Sequence, residues 1–234
     1  MLISHKHKFI TIDIPKTGSR SLRESLYPMG IIDVIGKPYV NEAFYQHGTA
    51  LDCVRDLKTI DCNFYDYYSF CVVRNPWDRY FSFFKYFKNY GEKYMRRDES
   101  IKWGRAEINQ GQYCVSLFSQ SDHQTILKNI ILNNAAQDSY YCDESGKIIV
   151  DHIAEFENLR NEFVLLCDKV GIQALTLQHG NKSANSLNMH DIYNQQLIDL
   201  VAEKEKSVID LKGYKYYFHE PKIHYTLLDD NHLT

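Results

Sequence analysis

The sequence predicts an α/β fold of three layers, α/β/α, around a central parallel β-sheet. Three observations predict it. Phe70-Cys71-Val72-Val73 is a short, wholly apolar run, the pattern of a strand covered on both faces. Two such strand patterns run straight into loops rich in Gly, Ser, Asn and Pro that open helices. Strand and helix patterns then alternate along the chain, as a parallel sheet with crossover helices requires.

The elements follow in order. Phe9 to Ile14 alternates apolar and polar residues and stops at Pro15, as a short strand does. Ser19 or Ser21 caps the next helix, which runs through Leu22 to about Tyr27, with Gly30 beyond it. A helix toward Leu57 follows His47. After the apolar strand, Asn75 is the N-cap and Pro76 the first residue of an aromatic helix from Trp77 to about Tyr90. Ser121 with Gln124 makes a capping box for a helix through Ile131. Ile148 to Phe156 reads as a strand, Leu159 to Val170 as a helix closed by Gly171, and His190 to Lys206 as a late amphipathic helix.

The chain has 234 residues, 44% apolar and 24% charged, with no repeat, low-complexity stretch or linker, so it reads as one domain, 1–234. A net charge of −3 argues against nucleic acid as a partner. No window approaches the apolar length of a membrane span, so no membrane insertion is expected, and no secretory leader is apparent before Asp13. The six cysteines form no C-x-x-C pair and read as reduced, mostly buried thiols. No metal site is expected, since nothing completes a zinc pattern around His5 and His7.

Two junctions carry the chemistry. In Pro15-Lys16-Thr17-Gly18-Ser19-Arg20-Ser21 a strand ends in a loop that presents backbone N–H groups at a positive helix terminus, a phosphate cradle. The hydroxyls of Thr17, Ser19 and Ser21 add donors, and Lys16 adds charge. A triphosphate-binding loop would need Lys after a second Gly, whereas Lys16 precedes Gly18. In the second junction Arg74 stands at the carboxyl end of a buried strand, where α/β ligand sites form, and Ser82 lies further along the following helix. Together they suit a second phosphate. The plainer alternative for Arg74 is a pair with Asp78; Trp77, Phe81 and Phe84 read as packing in either case.

Lys16-Thr17-Gly18-Ser19, then Val73-Arg74-Asn75-Pro76-Trp77-Asp78-Arg79 and Ser82, resemble the sulfotransferase superfamily, in its carbohydrate-type, family 2 branch. A third stretch agrees: Val150-Asp151-His152-Ile153 to Phe156-Glu157-Asn158-Leu159, then Gly171-Ile172 and Asn181-Lys182-Ser183. The resemblance covers about residues 8 to 218. It implies a P-loop-like core and transfer of a sulfuryl group from 3′-phosphoadenosine 5′-phosphosulfate (PAPS) to a hydroxyl or amine, leaving adenosine 3′,5′-bisphosphate, without a metal. It implies that Lys16 to Ser21 bind the 5′-phosphosulfate, and that Arg74 and Ser82 bind the 3′-phosphate; Arg20 stands where Thr or Ser is common, and either adds charge toward the phosphosulfate or points to solvent. Lys16 then also steadies the leaving phosphate. His47, in Tyr45-Gln46-His47-Gly48-Thr49-Ala50, is the candidate base, with Glu42 as runner-up. The acceptor is expected to be a carbohydrate or another small molecule, with residues 88–118 as a possible insertion that binds it. There Tyr90, Tyr94 and Trp103 alternate with cations from Lys88 to Arg105. Eukaryotic relatives in this branch are usually membrane-anchored in the Golgi, whereas this chain begins at the catalytic core, so a small, bacterial-type cytoplasmic enzyme is expected. The alternatives are a nucleotide-dependent phosphotransferase and an inactive relative that binds glycan or nucleotide.

Overall fold

The computed structural model describes residues 1–27, 30–35, 44–97, 105–173, 177 and 187–217. Among them the strands are β1 (Leu2–Ser4), β2 (Phe9–Ile12), β3 (Val34–Ile35), β4 (Tyr68–Val73) and β5 (His152–Glu155). They form one sheet in the order β3-β1-β2-β4-β5. The strands β2, β4 and β5 run parallel, pairing Ile12 with Cys71 and Val73 with Glu155. β1 is antiparallel to both β2 and β3, so one edge of the sheet departs from the parallel expectation. A tight connection such as His5 to Lys8 allows only an antiparallel return, since a parallel one needs a crossover.

Alternation along the strands sends side chains to two cores. Leu2, Phe9, Phe70 and Val72 face α1 (Ser19–Leu26) and α6 (Leu159–Lys169), meeting Leu22, Leu26, Phe163 and Leu166. Ile3, Ile10, Ile12, Cys71 and Val73 face the other side. There they meet α2 (Ala50–Lys58), α3 (Pro76–Met95), α5 (His123–Asn133), α7 (Gln195–Lys204) and α8 (Lys206–Lys212). The fold is therefore the expected α/β/α sandwich.

Several boundaries move for local reasons. Asn75 occupies the cap position of α3 with Pro76 next, but its carboxamide donates to the Lys215 carbonyl instead of capping, at 2.9 Å. α3 runs on to Met95, beyond the expected Tyr90. Asp122, not Ser121 with Gln124, caps α5 by accepting from the N–H groups of Gln124 and Thr125. The expected strand from Ile148 shortens to β5, because Ile148 makes only an isolated bridge with Cys142. The late helix begins at Gln195, where Asn194 caps it, and breaks at Glu205 before α8.

Residues 88–95 continue α3, and 105–118 belong to α4 (Arg105–Gln120). Gly91 lies against Cys114, where an added Cβ would sit 3.3 Å from the Cys114 backbone. The described part of this stretch is thus a packed helix pair. Trp77, Phe81 and Phe84 are core, as expected. All six cysteines are free and all but Cys62 are buried. No helix among the described residues is long and apolar enough to cross a membrane. Glu42, Trp103 and Asn181-Lys182-Ser183 lie outside the described residues.

Candidate functional site

The parallel register brings the carboxyl ends of β2, β4 and β5 to one edge. Three segments leave there: the loop from Asp13 to Gly18, the Arg74-Asn75 junction, and a 3₁₀ turn at Phe156–Asn158. Ligand sites of open α/β sheets form at this end.

The first loop is bent by two left-handed residues, Lys16 at φ 70° and Gly18 at φ 92°. Gly18, rather than Ser19 or Ser21, is the N-cap of α1, and no side chain caps that terminus. Both serines lie inside the helix. The first turn also carries no acid, so its N–H groups keep their positive potential. The Thr17 hydroxyl is buried and donates to the Ile14 carbonyl at 2.8 Å, bracing the bend. Arg20 is exposed and pairs with Glu24 at 2.6 Å along the helix surface.

Gly18 is required twice over. An added Cβ would lie 2.8 Å from Leu159 Cδ2 and 3.0 Å from the Phe156 ring. Gly18→Ala combines that overlap with a positive φ, so it should cost about 1–3 kcal/mol of stability. Urea unfolding checks this; an unchanged midpoint counts against the close approach.

In the second junction the Arg74 guanidinium stacks on Phe156, 4.3 Å from the ring centroid, and Nη1 donates to the Lys16 carbonyl at 3.3 Å. The two junctions therefore touch. The Asp78 pair exists but is long, 3.7 Å from Nη2. Arg74 Nε is buried with no partner among the described residues. Ser82 is half-buried on α3.

Lys16 shows what the site lacks. Its ammonium lies 4.5 Å from the centre of the Tyr86 ring and makes no ion pair among the described residues. Burial, then repulsion from Arg74 and Lys85, pulls its pKa down to about 8. At neutral pH it stays charged, beside Arg74 and Lys85 and with no carboxylate paired to it among the described residues. An anion placed here would favour the charged form of Lys16.

His47 is half-buried before α2, whose N-cap Thr49 forms a capping box with Asp52. Its Nδ1 lies 2.7 Å from the Asp13 carbonyl. A carbonyl only accepts, so Nδ1 carries the proton and Nε2 is left as the acceptor. Burial lowers the His47 pKa, which keeps the ring neutral near pH 7. Asp13 is itself buried and held by Arg23 at 2.8 Å and Thr11 at 3.1 Å.

Sequence reasoning missed the frame beneath these groups. Arg79 is fully buried and pairs with Glu205 at 2.9 Å, while its Nε donates to the Pro15 carbonyl at 3.1 Å. Tyr80 donates to the same Glu205 carboxylate at 2.9 Å. Gln137, also fully buried, donates its backbone N–H to Glu205 at 3.0 Å. The Asn75 N–H is held by Glu157, whose other oxygen accepts from Tyr214. Arg79 stood within the quoted motif, and its one available signal was a cation at a core position of an aromatic helix.

Among the described residues no group of three or more His, Cys, Asp or Glu could hold a metal ion. A protein-family model described as Sulfotransferase family matches residues 1–220. Comparison with curated proteins and with solved structures returned no match.

Proposed function

The chain belongs to the sulfotransferase family, and on that premise we propose that it moves a sulfuryl group from PAPS to a hydroxyl or amine of a carbohydrate or other small acceptor. The donor, when bound, supplies a sulfuryl group activated by its anhydride link to phosphate. One observation carries the reading: the Lys16 ammonium, in the loop that opens α1, is repelled by Arg74 and Lys85 and is paired with no carboxylate among the described residues. The residues fit the donor. The Arg74 Nε is a buried donor with no partner among the described residues, and no side chain caps the N–H groups that open α1.

Each residue then has a task. The α1 terminus, with Ser19 and Ser21, binds the 5′-phosphosulfate, and Lys16 donates to the phosphate oxygen that departs. Arg74 and Ser82 bind the 3′-phosphate, the guanidinium in a charge-assisted contact. His47, tied by Nδ1 to Asp13, takes the acceptor proton at Nε2. Glu42 remains the second candidate for that role. Thr17 shapes the loop from within, and Arg20 acts only if it leaves Glu24.

Titration calorimetry with adenosine 3′,5′-bisphosphate beside ATP with magnesium tests the reading. Selective binding of the bisphosphate supports it, and selective binding of ATP points to phosphoryl transfer instead. Binding without turnover of any acceptor identifies a non-catalytic relative. Arg74→Ala should weaken the bisphosphate by about 1.5–3 kcal/mol, the scale of a hydrogen bond to a charged group. Adenosine 5′-phosphate should be little affected; equal losses for both ligands refute the 3′-phosphate assignment.

A further inference from the structure

We infer that Gln137 is a positioning residue that aims Arg74 at the donor's 3′-phosphate, an inference that rests on the PAPS reading above. The β4 ladder ends at Val73, paired with Glu155, so the backbone of Arg74 has no strand partner there. Gln137 takes that place. Its Oε1 accepts from the Arg74 N–H at 2.8 Å and its Nε2 donates to the Arg74 carbonyl at 2.9 Å. One fully buried side-chain amide thus holds both polar groups of one residue.

The guanidinium end is held far less firmly. Its contacts are a 3.3 Å bond to the Lys16 carbonyl, a 3.7 Å approach to Asp78 and the face of Phe156, and its Nε has no partner. The direction of the side chain is therefore set mainly at its backbone. Gln137 is anchored in turn by Glu205, which Arg79 and Tyr80 hold, and Arg79 also grips Pro15. A continuous hydrogen-bonded path fixes Arg74 relative to the loop that carries Lys16.

Without Gln137 the Arg74 N–H and C=O lose both partners, and the backbone must shift to regain them. The guanidinium moves with it. The Gln137 side chain bonds Arg74 and Glu205 and no residue of the loop assigned to the 5′ end, so the loss should appear as lost selectivity for the 3′-phosphate.

The experiment compares wild type, Gln137→Met and Gln137→Glu by calorimetry against adenosine 3′,5′-bisphosphate and adenosine 5′-phosphate. Gln137→Met keeps the shape and removes both bonds. Its preference for the bisphosphate should fall roughly 10- to 100-fold, with the affinity for adenosine 5′-phosphate unchanged. A preference equal to that of wild type overturns the inference, as does equal loss for both ligands. A wild-type protein with no such preference overturns the donor reading and the inference with it. If Gln137→Met does not fold, Gln137→Glu decides. A protonated carboxyl donates to the Arg74 carbonyl as the amide does, and a carboxylate cannot. Its preference, divided by that of wild type at the same pH, should rise as pH falls; a flat ratio overturns the inference.

Discussion

His47→Ala is expected to lower turnover by roughly 10²–10⁴-fold, the range for removal of a positioned general base. Donor affinity should be nearly intact, since the base serves the acceptor. The pH profile carries the same assignment. A base at His47 must be neutral to accept a proton, and burial holds its pKa below 6.5, so turnover should rise with pH through that lowered value. The kcat/KM for the donor, which reports the free enzyme, should fall again near pH 8, where Lys16 loses its proton. In His47→Ala the acid limb should vanish and the alkaline limb should stay. Glu42→Gln is the control. If it abolishes turnover while His47→Ala does not, the base is the carboxylate.

Lys16→Ala should cut turnover by roughly 10²–10³-fold, the scale for loss of one donor to a developing negative charge. Stability should hold or rise, because the substitution removes a partly buried cation that Arg74 and Lys85 repel. Activity and melting temperature measured together separate this from unfolding. An unaltered rate with unaltered donor affinity sinks the role. Lys16→Arg is not expected to rescue, because a planar fork replaces a compact point charge in a tight bend.

Much of the site was legible where chemistry is local. β4 and the start of α3 follow from an apolar run meeting Asn-Pro, and the bend between β2 and α1 follows from Lys-Thr-Gly-Ser after a strand. What failed was competition among neighbours. Ser121 looked a sufficient cap, yet Asp122 stands one residue closer and its carboxylate reaches two N–H groups. Ser19 looked like a cap, but the approach of Leu159 and Phe156 makes Gly18 the turning point. Long-range partners left no local trace. Gln137 and Glu205 are ordinary polar residues in sequence, and only the folded chain sets them against Arg74 and Arg79. β1 was missed because three residues flanked by charge carry too little pattern.

The Arg79–Glu205 pair joins residues 126 positions apart. During synthesis α3 leaves the ribosome long before its counter-ion does, so a nascent chain can pair β2 with β4 while Arg79 still faces the wrong dielectric. Contacts of such separation form late, because chain-closure entropy must be overcome first. The frame that holds Pro15 and the Arg74 backbone closes only once Glu205 arrives. The frame beneath the candidate site is therefore completed near the end of folding, and a nascent chain lacking α7 and α8 has no Arg79–Glu205 pair to complete it.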